Sequence, residues 1–370
     1  MSGEQDDASS DDSELALERL ADLFSYEKPW RARQPWLLQR GYQLRPRFRQ
    51  GWVPSWKKFM WLPSWARIGR LDPYKREDSV SLEHGEVIMD AVRLSDGAFV
   101  VMKLFSKRDH PYELEISEYF SSPELARDPR NHCVPILEAF DDPNDPDLTI
   151  LVMPLLKRFD RPPFETVGEL TACLTQVFEG LEFIHEHNVA HRDCSWPNIM
   201  MDAAPMYPIP YHPSEQSQRR DWKGDVWHYS RTQRPVKYYL IDFGLSRRYD
   251  PAQGPPREFP IRPADKSVPE HQGALGLLPS DPFATDIYLL GNAIRERFAK
   301  RCDSENLHFL EPLLSDMTQE NPALRPNIHE ASQRFADLLA GLDSSNLHSQ
   351  LVLNGKGYQT KVPSRFRLKD

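Results

Sequence analysis

Polar positions give way to short apolar, β-rich runs at 87–89, 91–94 and 99–105, and Ser95-Asp96-Gly97 separates the last two. That pattern predicts short β-strands joined by a tight turn. Residues 112–120 switch to a helical period, and 134–137 and 148–155 return to apolar runs that predict further strands. A long amphipathic helix is predicted over 167–187, with Leu170, Leu174, Val177, Phe178, Leu181 and Ile184 on one face. The chain is then Pro-rich from residue 242 to about 282, and helical from about 284 to the end of the 330s. Near the start, Leu15, Leu17, Leu20 and Leu23 predict a short helix over 14–25. A β-rich first part followed by a helical second part gives the class α+β. No internal repeat is visible.

Composition refines this picture. The chain has 370 residues, enough for a sizeable core with extensions, and its 33 prolines predict much extended structure. The net charge of −9 argues against general nucleic-acid binding, but it hides an asymmetry. Residues 1–18 carry seven acids and no base, while 31–70 carry ten Lys and Arg and no acid. The acidic end, 1–25, has little to bury and is expected to be mostly disordered. Six of the nine tryptophans (Trp30, Trp36, Trp52, Trp56, Trp61, Trp65) fall in the Trp/Arg/Pro-rich extension 26–78. Rings among cations can stack on bases, or they can pack on a neighbouring domain while the bases stay solvated. The Pro-Trp and Trp-x-Pro pairs favour the packed arm. Four scattered cysteines form no C-x-x-C pair, so neither a disulfide framework nor a zinc site is expected. With no apolar run of membrane length, the expected setting is intracellular, cytoplasmic or nuclear.

Two stretches carry chemistry. In His191-Arg192-Asp193-Cys194-Ser195-Trp196-Pro197-Asn198, Asp193 can accept a hydroxyl proton and the Asn198 amide oxygen can bind a metal. In Leu240-Ile241-Asp242-Phe243-Gly244, Asp242 ends an apolar run, where its carboxylate can hold Mg²⁺ against nucleotide phosphates. The order and spacing of the pair resemble the protein kinase family. Val100-Val101-Met102-Lys103 resembles that family's strand ending in a phosphate-binding lysine. Glu115 is the preferred helix partner for Lys103, ahead of Glu113 and Glu118. Residues 151–156, with Met153 and Leu155, resemble the hinge that meets an adenine edge. Val268-Pro269-Glu270, Asp286-Ile287-Tyr288-Leu289-Leu290-Gly291 and Asn321-Pro322-Ala323-Leu324-Arg325-Pro326 resemble three structural motifs of the family's large lobe, Arg325 pairing with Glu270. Small-molecule phosphotransferases generally lack that last pair. The Trp-rich leader looks like one found before kinase-like domains of mushroom-forming fungi.

The resemblance implies a two-lobed protein kinase-like fold over 79–340, with a β-rich N-lobe (79–153), a helical C-lobe (157–340), an insert at 203–235 and a tail at 341–370. It also implies ATP and Mg²⁺ as cofactors, with Lys103, Asp193 and Asn198 catalytic. Lys103, Glu115, Met153, Leu155 and Asp242 would bind nucleotide, and Asn198 and Asp242 would bind metal. The implied activity is transfer of the ATP γ-phosphate to Ser/Thr hydroxyls of a protein partner; oligomeric state stays open. Three departures point to the alternative, a pseudokinase acting as a nucleotide-binding scaffold. The loop Leu82-Glu83-His84-Gly85-Glu86-Val87 has one glycine where the family has three. Ser195 replaces a lysine, a loss of about 2–4 kcal/mol of transition-state stabilisation by analogy with a single oxyanion donor. And 43 residues separate Asn198 from Asp242, where a short hairpin is usual; so long a loop points to an interaction role.

Overall fold

The computed structural model describes residues 20–59, 63, 72–81, 86–302 and 305–361. Most of the predicted 14–25 helix and acidic end, Trp61 and Trp65, the loop at 82–85 and residues 362–370 lie outside the described residues. The class is α+β, with a sheet region followed by a helical region.

After helix α1 (Lys28–Gln39) comes strand β1 (Tyr42–Leu44). The apolar runs at 87–94 make one strand, β2 (Ile88–Arg93), rather than two. It turns through Gly97, at φ +72°, into β3 (Phe99–Ser106). Only glycine enters that region at no cost, which is why the turn needs it. Helix α2 (Glu113–Phe120), β4 (Glu138–Asp141) and β5 (Leu148–Pro154) follow. All strand pairs are antiparallel, in the order β1-β2-β3-β5-β4. The strand predicted at 134–137 is instead irregular: Val134 N–H donates to the Leu240 carbonyl and Leu137 N–H to the Val152 carbonyl, and β4 begins only at Glu138. Pro135, which lacks an N–H, interrupts that apolar run.

Alternation along β3 decides where the site can be. Val100, Met102 and Leu104 face one side, with Met89, Ile150 and Val152, and Lys103 faces the other. The apolar side is covered by Trp30, Leu37 and Phe48, each fully buried. Each such side chain contributes about 1.5–3 kcal/mol by leaving water. The extension thus forms part of the sheet's core, and through β1 it crosses the boundary expected at residue 78. Its cations do not all stay solvated, contrary to the packed-arm expectation. Arg47 is buried in a pair with Glu27, and Arg45 pairs with Asp90.

The helical region is built on α3 (Val167–Glu186), whose N-terminus is capped by Thr166. All six residues of its predicted apolar face are buried. The predicted helical tract beyond 284 is broken into α4 (Pro282–Arg297), α5 (Glu311–Met317) and α6 (Ile328–Ala340). Pro312 and Pro322 fall at the starts of new helical turns, where a missing N–H costs nothing. Phe335 of α6 stacks on Phe178 of α3 at 4.8 Å. The tail packs back as well, with Leu351 buried and Val167 donating to the Ser349 carbonyl. No helix among the described residues is long and apolar enough to cross a membrane.

Beside α3 lie β7 (Val189–Ala190) and a small sheet of β6 (Lys157–Arg158), β8 (Ile199–Asp202) and β9 (Lys237–Leu240). The predicted insert runs between β8 and β9 and climbs to the sheet. Arg220 pairs with Asp90 of β2 and lies over the Phe99 ring at 4.6 Å, His212 meets Glu77, and Ser214 accepts from Arg45. Lys157 is buried beneath it, over the rings of Tyr211 (4.5 Å) and Tyr207 (5.2 Å), and donates to Gln216 Oε1 at 2.9 Å.

Candidate active site

Two tight backbone geometries bring the motif residues together. Arg192 and Asp242 both adopt φ +66°, a left-handed conformation that costs a non-glycine residue about 1–3 kcal/mol. At Arg192 the conformation is held from below by Asp286 of α4, whose carboxylate accepts from the His191 and Arg192 N–H groups at 2.7 Å each. At Asp242 it is held by the residue's own carboxylate, which accepts from Gly244 N–H at 3.1 Å. His191 Nε2 lies 3.1 Å from the Ile241 carbonyl, and Ile241 N–H donates to the Asn198 carbonyl at 2.9 Å. Asn198 and Asp242 therefore sit side by side at the ends of the paired strands β8 and β9.

Three donors hold the Asp193 carboxylate. Asn198 Nδ2 donates to its Oδ2 at 2.8 Å, while Ser195 Oγ and Ala264 N–H reach Oδ1 at 3.1 and 2.9 Å. A carboxylate offers about four lone-pair sites, so one acceptor position is left for a further donor. Burial pushes its carboxyl above the usual aspartate range, outweighing the hydrogen bonds that oppose it. That moves a would-be base toward neutral pH.

Lys103 is the junction with the sheet. Its ammonium binds Glu113 through a short contact and Asp242 Oδ1 at 2.7 Å. Burial alone would lower the lysine pKa, but these two carboxylates win and raise it. Burial likewise opposes ionisation of Asp242, yet Lys103 holds it below the usual range. Glu113 goes the other way: desolvation and the Asp242 charge raise it despite Lys103.

Glu113, not Glu115, is the partner of Lys103. Glu113 shares the buried face of α2 with Ile116, Ser117 and Phe120, at spacings of three, four and seven. Glu115 is exposed. The helical period of the apolar residues carried that signal. Phe243 then packs between Phe120 of α2 and His191, with centroids 5.7 and 5.3 Å away, which ties α2 to both motifs.

Met153 is half-buried opposite Val101 of β3. Leu155 donates its N–H to the Phe99 carbonyl at 3.2 Å, so that group is already used by the sheet. Pro154 has no N–H to offer. Glu270 and Arg325 form a buried two-pronged pair at 2.8 and 2.7 Å. Arg192, beside the site, lies 3.7 Å from Glu258, which also takes Arg247 at 2.9 Å. The contacts of Ala264 and Glu258 had no signature in the sequence, since each depends on where an irregular segment folds back.

No group of three or more His, Cys, Asp or Glu side chains among the described residues is arranged to hold a metal. The donor set nonetheless suits a hard cation that keeps most of its waters. Both Asn198 hydrogen bonds use Nδ2, leaving its Oδ1, and the neighbouring Asp242 side chain is 43% exposed. The chain matches no protein-family model and no curated protein.

Proposed function

We propose that the protein is an ATP- and Mg²⁺-dependent phosphotransferase of the protein kinase type, moving the γ-phosphate to Ser/Thr hydroxyls. In this reading the sheet and the helical region are the two lobes, with the cleft at Lys103. One observation carries it: Lys103, tied to Glu113, reaches Asp242, while Asp242 adjoins Asn198, which is bonded to Asp193. A cation, a metal-binding oxygen pair and a base are thereby set in one row.

The residues then take separate tasks. Lys103, positioned by Glu113, binds the α- and β-phosphate oxygens. Asn198 Oδ1 and the Asp242 carboxylate would hold Mg²⁺, which supplies charge neutralisation on the phosphates when bound. Asp193 uses its remaining acceptor position to orient the substrate hydroxyl and take its proton. Ser195 keeps Asp193 in place with a neutral donor and adds no positive charge, so turnover is slow. Catalysis of this kind rests on positioning and fixed charge.

A second reading, a nucleotide-binding scaffold, is favoured by the direct Lys103–Asp242 pair. Each partner currently satisfies the charge that nucleotide and metal would require. One measurement separates the two: Mg²⁺-dependent ATP turnover by purified protein, beside Asp193→Asn and Asp242→Asn. The phosphotransferase reading expects Asp193→Asn to lower turnover on the order of 10²–10⁴-fold while its melting temperature holds. Wild-type turnover no higher than that of the variants, with ATP still raising the melting temperature, would establish the scaffold.

A further inference from the structure

The segment that touches Asp193 is basic on its outer side. Residues 261–264 belong to no helix or strand, and the Ala264 N–H anchors them to the Asp193 carboxylate. Arg262 and Lys266 each stand two residues from that anchor, so their Cα atoms lie within about 7 Å of it. Both are exposed, as is Arg257, and none of the three has an ion-pair partner among the described residues. The two acids of the same stretch already have partners in the fold. Glu258 is taken by Arg192 and Arg247, and Asp265 accepts from Asn292 Nδ2 at 2.6 Å and from Ser267. An acceptor hydroxyl approaching Asp193 along this segment therefore passes two exposed cations, Arg262 and Lys266.

The chain itself contains a matching ligand. Ser9 and Ser10 stand between Asp6-Asp7 and Asp11-Asp12, Ser13 precedes Glu14, and no base occurs before Arg19. We infer that the site selects hydroxyls flanked by carboxylates, and that Ser9, Ser10 and Ser13 of this same chain are acceptors. The inference rests on the phosphotransferase reading and gives it a substrate class. In the step, serine Oγ bonds to the γ-phosphorus of ATP and the bond from that phosphorus to the β-phosphate oxygen breaks. ADP leaves with the electron pair, and the serine proton passes to Asp193. Each phosphate adds about −1.5 to −2 charges, so a first transfer strengthens attraction of the remaining serines to Arg262 and Lys266.

The test uses the full chain and synthetic peptides. One peptide carries residues 2–16, a second has its acids replaced by lysine, and serine-to-alanine forms of both serve for binding. Fluorescence anisotropy of the alanine forms reads recognition without turnover. The acidic peptide should bind at least tenfold more tightly than the lysine one, with affinity falling as salt rises. The Arg262→Glu/Lys266→Glu variant, checked for an unchanged melting temperature, should reverse that order. Incubation with Mg²⁺ and ATP followed by mass spectrometry should find phosphate on Ser9, Ser10 or Ser13 in the wild type and none in Asp193→Asn. Transfer or binding that ignores peptide charge, or modification that spares all three serines, overturns this inference and leaves the phosphotransferase reading standing. No transfer to any acceptor and no ATP turnover overturns both.

Discussion

Lys103 shows how a single side chain links two parts of the fold. Its stem leaves a buried strand, and its ammonium is shared between a helix carboxylate and the carboxylate that ends β9. Because Glu113 is only 2% exposed at its side chain, removing its charge is not made good by water. Glu113→Gln should cost about 1.5–3 kcal/mol, the usual worth of a charged hydrogen bond, and shrink any rise in melting temperature caused by ATP. Glu115→Gln should change neither by a measurable amount; thermal melts with and without ATP check both. If Glu115→Gln has the larger effect, the pairing at Lys103 has been assigned to the wrong carboxylate. Lys157 makes a different point, because it is a buried cation without a carboxylate partner. Burial, helped by Arg161 and Arg231, pushes its pKa down to about 7. Its folded-state pKa is therefore below the unfolded value near 10.5, and between these the unfolded chain binds more protons. Stability should thus rise with pH above about 7, the opposite of a salt-bridged lysine. Urea melts from pH 7 to 9 should show this rise in the wild type and a flatter profile in Lys157→Met.

At the scale of elements, the insert between β8 and β9 behaves as a brace. Asp90 of β2 is 5% exposed and receives Arg45 from the extension at 2.8 Å and Arg220 from the insert at 3.2 Å. Burial opposes its charge, but the two arginines win and hold its pKa below the usual range. Arg220→Met should therefore cost about 3–5 kcal/mol, since it leaves a buried carboxylate half-paired. Adding Asp90→Asn should recover part of that loss, and a double-mutant cycle by denaturant melts measures the coupling. Independent, additive effects would mean that the insert does not brace the sheet through this pair. The brace also explains what could be read from the chain beforehand. Contiguous signals were legible: the period of α3, the β2–β3 turn at Gly97, and the two short motifs around Asp193 and Asp242. The path of the insert was not, because its contacts join residues far apart and have no local period. The strand expected at 134–137 failed for a related reason: an apolar run broken by a proline can make scattered backbone contacts without forming a ladder, and only Val134 of the four is buried.

Taken as a whole molecule, the chain divides its sheet into two faces with different owners. One face is closed by Trp30, Leu37 and Phe48 from the extension, and the other is left to Lys103. The tryptophans announced a packed arm, but not that the arm would supply a strand and a buried Arg47–Glu27 pair to the core. The pairing of Glu270 with Arg325 was legible only through resemblance, since 55 residues separate the partners. The same long-range economy sets a timetable for synthesis. Arg220 is 130 residues downstream of Asp90. At 5–20 residues per second it leaves the ribosome roughly 7–26 s later. During that interval the nascent sheet has Arg45 but not its second cation, so the hairpin of β2 and β3 must wait, marginally stable, for a residue not yet made.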